Sequence, residues 1–128
     1  MIVVDASIAV ALVLFDEDSP SNLSGEDFVG SLAPTLWPYE VLSALSAAER
    51  RGRIESEELE TAAGALSKLP IEFVHPSYHQ VLEVSRTTGL SVYDASYLAL
   101  AVAYEVPIAT LDRKLRSAAA LLGVTIRA

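Results

Sequence analysis

Short β-branched runs, each followed at once by a helix-forming stretch, constrain this chain more than any other feature of its sequence. Ile2-Val3-Val4 has no polar alternation, as in a strand covered on both faces of a parallel sheet. Asp5-Ala6-Ser7 then opens an apolar helical stretch through Phe15. Ala33–Leu36, Ile71–Val74, Ile108–Thr110 and Val124–Ile126 read as further strands. Between them the sequence predicts helices. One has Pro38 in its first turn and is stopped after Arg51 by Gly52. A second, over Glu55–Lys68, puts Leu59, Ala62, Ala63 and Leu66 on one face and is closed by Pro70. Others cover Ser77–Thr88, ended by Gly89, the alanine-rich Tyr93–Glu105, and Asp112–Leu122, capped by Gly123. The acidic, turn-rich stretch Asp16 to Gly30 reads as a mobile loop before or within a short helix. Strands alternating with helices predict an α/β fold: a three-layer α/β/α sandwich around a parallel sheet of four to five strands, joined by right-handed crossovers. With 128 residues and no repeat or linker, residues 1–128 read as a single domain.

Composition removes several function classes. The chain has no cysteine, which excludes disulfides, thiolate metal sites and thiol nucleophiles. Hydrophobic residues at 52% and charged residues at 20% exclude a disordered chain. The longest apolar run, Ile8–Phe15, falls far short of the roughly 20 residues a membrane span needs. No Lys or Arg precedes it, as a secretion signal would require, so the expected setting is cytoplasmic. A net charge of −8 is unlike a free-standing nucleic-acid binder. It fits either an ordinary acidic surface or carboxylates gathered for divalent cations. A mean hydropathy of +0.37 is high for so acidic a chain and points to a partner or a homodimer.

Four carboxylates fall at informative places. Asp5 ends the first strand, Asp112 follows the fourth, and Asp94 opens a helix. Each also reads as a helix cap, and Ser91-Val92-Tyr93-Asp94 matches a capping box with Asp in place of Glu. Glu40 lies in the first turn of its helix, off the apolar stripe of Val41, Leu45 and Ala48 and beside Ala44 and Ala47. Open α/β sheets bind ligands at the carboxyl ends of their strands, where strand order reverses. If the first strand is central, with the second and fourth on either side, Asp5, Glu40 and Asp112 surround that crevice. Asp94 must come from the opposite direction. Two carboxylates 4 Å apart repel by about 4 kcal/mol at an effective dielectric of 20, so such a cluster needs a counterion. An all-oxygen donor set suits Mg²⁺, with Mn²⁺ a plausible substitute.

These residues carry a family resemblance over essentially the whole chain. Ile2-Val3-Val4-Asp5-Ala6-Ser7, Trp37-Pro38-Tyr39-Glu40-Val41-Leu42, Ser91-Val92-Tyr93-Asp94-Ala95-Ser96-Tyr97 and Thr110-Leu111-Asp112-Arg113-Lys114-Leu115 resemble the PIN-domain ribonucleases, and among them the VapC-type toxins of toxin–antitoxin pairs. The resemblance implies a Mg²⁺-dependent endoribonuclease with Asp5, Glu40, Asp94 and Asp112 as catalytic metal-holding acids. It would hydrolyse RNA phosphodiesters to 5′-phosphate and 3′-hydroxyl ends. The resemblance further implies a cognate VapB-type antitoxin and a homodimer. Ser7 and Thr110 are candidates to orient carboxylates or a phosphate oxygen, or simply to bond local backbone. Arg113, Lys114 and Arg116 are candidates to touch RNA phosphates. One departure is Ser43, where the family often has Asn three residues after the helix Glu.

Other features are weaker. Arg50, Arg51 and Arg53 read as a solvated helix end. His75 and His79 are separated by Pro76, which breaks a shared helix and disfavours a zinc pair. Trp37 and Phe15 read as core residues. Two other classes of function compete. A receiver-type phosphoacceptor domain needs an acidic pair after strand one and an Asp after strand three, whereas Asp5 stands alone and His75 follows strand three. A non-catalytic domain of the same fold that only binds a partner is the second.

Overall fold

The computed structural model describes residues 1–14 and 25–127. Among them, five strands form one parallel sheet: β1 (Val3–Val4), β2 (Ser31–Ala33), β3 (Ile71–Phe73), β4 (Ile108–Ala109) and β5 (Ile126–Arg127), in the order β3-β2-β1-β4-β5. Val3 stands opposite Leu32 on one side and Ile108 on the other, so β1 is central. Its residues are fully buried because helices cover both faces. The receiver-type reading fails on topology, since that fold runs 2-1-3-4-5.

Six α-helices among the described residues complete the sandwich: α1 (Ala6–Val13), α2 (Trp37–Arg50), α3 (Ser56–Leu66), α4 (Tyr78–Thr88), α5 (Val92–Tyr104) and α6 (Arg113–Leu121). They contact one another in two sets, α1 with α2 and α2 with α3, then α4 with α5 and α5 with α6. Right-handed crossovers put the first set on one face of the sheet and the second on the other. Helix α5 lies against β1, β2 and β4. Its alanines make that closeness possible: Ala95, Ala99 and Ala101 are buried along with Leu98 and Leu100. The expected stripe on α2 is also buried, at Val41, Leu45 and Ala48. Trp37 is buried as expected, its ring tilted against Phe73 at 6.0 Å between centroids.

Several boundaries differ from expectation, most by a residue or two. Strand β2 begins at Ser31, not Ala33, and stops before Pro34, which lacks the N–H a ladder needs. Ser31 is tolerated inside because its hydroxyl donates to the Phe28 carbonyl at 2.7 Å. Strand β5 starts at Ile126, two residues after Val124. Within the acidic stretch, Gly25–Phe28 forms a 3-10 turn, while Phe15 and residues 16–24 lie outside the described residues. Gly89 ends α4 at φ 78°, a backbone conformation favouring glycine, and leaves only Leu90 and Ser91 before α5. No helix among the described residues is long and apolar enough to cross a membrane.

Candidate active site

The first strand delivers Asp5 to the crevice between β1 and β4, where successive connections leave in opposite directions. Its backbone N–H extends the ladder to the Ala109 carbonyl at 3.0 Å. Although Asp5 occupies the N-cap of α1, its side chain makes no capping bond, so the cap reading fails here. The carboxylate is buried, with one oxygen, Oδ2, accepting from the hydroxyls of Ser7 and Thr110, each at 2.7 Å. Ser7 in turn accepts from the Leu111 backbone N–H at 3.0 Å, and Thr110 from the Asp112 N–H at 3.1 Å. Two hydroxyls thus knit the β1–α1 turn to the β4–α6 turn. The expected roles of Ser7 and Thr110, orienting a carboxylate or bonding backbone, are both present in one network.

Asp112 does cap its helix, accepting from the Leu115 N–H at 3.0 Å through Oδ1. Ser91 caps α5 by accepting from the Asp94 N–H at 3.2 Å. Glu40, in the first turn of α2, is half-buried and accepts a 2.5 Å hydrogen bond from the Tyr97 hydroxyl of α5. Tyr97 is the residue that sequence reasoning missed. A buried phenol requires a hydrogen-bond partner, and its position three residues after Asp94 was the available signal.

Electrostatics links the four acids. Burial raises the Asp5 carboxyl above the ordinary range, the hydroxyls of Thr110 and Ser7 and the Ala6 backbone oppose the rise, and the charge of Asp112 adds to it. Glu40 is raised by burial and by Asp5 and Asp94, against the Tyr97 hydrogen bond. Asp94 is raised by burial and by Asp112, eased by Ser91 and Lys114. The Tyr97 hydroxyl is itself held well above its usual range by burial and by Glu40, so it acts as a donor. Asp94 thus lies near enough for its charge to act on Glu40 and for that of Asp112 to act on it. No Lys or Arg forms a salt bridge with any of the four among the described residues.

As they stand, no three Asp, Glu or His side chains among the described residues are gathered closely enough to hold a metal ion between them. The donor chemistry nonetheless fits a hard divalent cation. The groups are oxygen donors whose charges act on one another, and none of them is held in a salt bridge among the described residues. Mg²⁺ keeps several waters and needs only one or two direct carboxylates.

Of the basic candidates, Arg116 is half-buried and donates through one guanidinium nitrogen to the Thr110 carbonyl at 3.0 Å. Arg113 and Lys114 are exposed and line a groove with Thr88, Gly89, Leu90 and Leu121. Ser43 is exposed on α2. His75 precedes α4 and His79 lies within it, both exposed.

Comparisons with known proteins agree with this architecture. A family model described as PIN domain matches residues 2–121. The chain is 32% identical over 117 residues to a protein named VapC ribonuclease Mb0985 from Mycobacterium bovis, covering 90% of this chain and 88% of that protein. Ribonuclease VapC9 from Mycobacterium tuberculosis matches with the same identity and coverage. The crystal structure of PAE2754 from Pyrobaculum aerophilum superposes with a TM-score of 0.71 at 27% identity, covering 97% of this chain and 81% of that one. Central-strand Asp5, first-turn Glu40 and Asp94, and a match along nearly the whole length lead to one assignment: the chain belongs to the PIN-domain family, in its VapC-type branch.

Proposed function

We propose that this protein is a divalent-metal-dependent endoribonuclease, the toxin of a toxin–antitoxin pair, built as a single PIN domain over residues 1–128. The observation that carries the reading is the placement of Asp5 and Asp112 on the two turns that flank the β1/β4 crevice, knitted together through Ser7 and Thr110, with Glu40 and Asp94 near enough for the acids' charges to act on one another. The names of its VapC relatives support RNA as the substrate.

Asp5, Glu40, Asp94 and Asp112 would hold Mg²⁺ or Mn²⁺, directly or through water. A cation bound there acidifies water and neutralises charge building on the scissile phosphate. Ser7 and Thr110 keep Asp5 in one orientation, by two hydroxyl bonds to the same oxygen. Arg113 and Lys114 supply positive charge on the Asp94 side of the site, where phosphates of an RNA strand would approach. Arg116 stands beside them and also braces the turn that carries Thr110 by donating to its carbonyl. The antitoxin and a second copy of the chain would cover exposed apolar side chains such as Tyr39, Tyr78, Val92 and Tyr93. We place the protein in the cytoplasm, where its RNA substrate is found.

Incubation of the purified chain with a mixed RNA pool, with Mg²⁺ or with EDTA, tests the reading. Cleavage should require the metal and leave 5′-phosphate ends. Asp5→Asn should reduce it at least about 100-fold, the upper end of what loss of a single metal-site partner costs. Undiminished cleavage by that variant would move the site elsewhere. Absence of cleavage with metal, alongside retained antitoxin binding, would favour the partner-binding domain instead.

A further inference from the structure

Tyr97 has no part in the function as proposed, yet it is one of the largest fully buried side chains and ends in a polar group. It lies three residues after Asp94 on α5, so the two share a helix face. Its hydroxyl donates to Glu40 Oε1 and thereby joins α5 to α2. The remaining hydroxyl on this buried stretch, Ser96, is turned back to the Tyr93 carbonyl at 2.6 Å and is not available to Glu40. A glutamate on a half-exposed helix surface has three rotatable bonds, and a short bond from a phenol to a charged carboxylate removes much of that freedom. Among the described residues Oε2 carries no hydrogen bond.

We infer that Tyr97 is a positioning residue: its hydroxyl holds Glu40 by one oxygen and so leaves the other for a divalent cation. The inference rests on the metal-dependent reading above. A purely structural role, with Glu40 serving only to satisfy a buried phenol, makes different predictions.

The test is Mn²⁺ affinity of the full chain, measured by calorimetry and by the paramagnetic resonance of the free ion. Four proteins are compared: wild type, Tyr97→Phe, Glu40→Gln and the double variant. Tyr97→Phe should bind Mn²⁺ about tenfold more weakly, the usual cost of removing a group that orients a metal ligand. Its melting temperature in EDTA should stay within about 2 °C of wild type, since a ring of the same shape remains in place. The double variant should bind no more weakly than Glu40→Gln alone. In RNA cleavage Tyr97→Phe should lower kcat at limiting Mn²⁺, recover at high Mn²⁺, and leave KM for RNA unchanged. Wild-type Mn²⁺ affinity in Tyr97→Phe, or independent losses that multiply in the double variant, would overturn the assignment while leaving the nuclease reading in place. Should Tyr97→Phe melt far below wild type, Glu40→Gln tests the pair without touching the core, and wild-type affinity there overturns the assignment equally. Weakened Mn²⁺ binding in a protein that cleaves no RNA would support the positioning role and overturn only the nuclease.

Discussion

Burial dominates the ionisation of Asp5, and the hydroxyls of Thr110 and Ser7 offset it only in part. The carboxyls of Glu40 and Asp94 are raised for the same first reason. A raised folded-state pKa means that the native protein holds these protons more tightly than the unfolded chain does. The stability they contribute is complete below about pH 4 and is lost as pH rises through the raised values. In EDTA, the melting temperature of wild type should therefore fall relative to Asp5→Asn as pH goes from 4 to 7. At pH 7 the variant should melt about 4 °C or more higher, the shift that roughly 1 kcal/mol brings in a small domain, and the gap should close toward pH 4. A gap independent of pH would assign the gain to something other than charge. At this scale the four acids were legible because each sits at a strand end or helix start, places that local pattern reveals. Tyr97 was not, because its partner lies on another helix and only the fold brings them together. The bond from Arg116 to the Thr110 carbonyl was hidden for the same reason, since a sequence shows the charge and not the carbonyl that receives it.

Helix α5 shows what decides position one level up. Ala95 is fully buried where the helix lies against the sheet, beside Asp94 and two residues before Tyr97. Ala95→Leu should overpack that contact and cost about 1–3 kcal/mol, read from the urea midpoint. Mn²⁺ affinity should fall with it, because the same movement carries Asp94 and Tyr97 away. A variant as stable as wild type would show that the close approach is not tight. The helices were readable from their punctuation: Gly52, Gly89 and Gly123 all take positive φ at or just after helix ends, and Ser77 and Ser91 cap as their sequence positions imply. Short strands were read less accurately. Two or three residues of β-structure carry little periodic signal, and Ser31 resembles a loop residue until its hydrogen bond to Phe28 is seen.

Across the whole molecule, the unbroken apolar run of β1 implied a strand covered on both faces, while its central place between β2 and β4 entered only as a supposition, which the sheet order bears out. How closely Asp94 approaches the others was not legible, since that depends on how α5 crosses the sheet. If the four acids share a cation, Mg²⁺ must raise the melting temperature of wild type by linkage, by about 2.7 kcal/mol of stability at a concentration 100 times Kd. Asp94→Asn should show a much smaller rise, and an equal rise would remove Asp94 from the site. The network around Asp5 also bears on synthesis. Thr110, which holds the Asp5 oxygen, and Asp112 are added to the chain more than a hundred residues after Asp5. A nascent chain growing from its amino end therefore lacks an assembled cleft until the β4–α6 turn has been made and has folded back on β1, so whatever chemistry the cleft performs is withheld from shorter intermediates of synthesis.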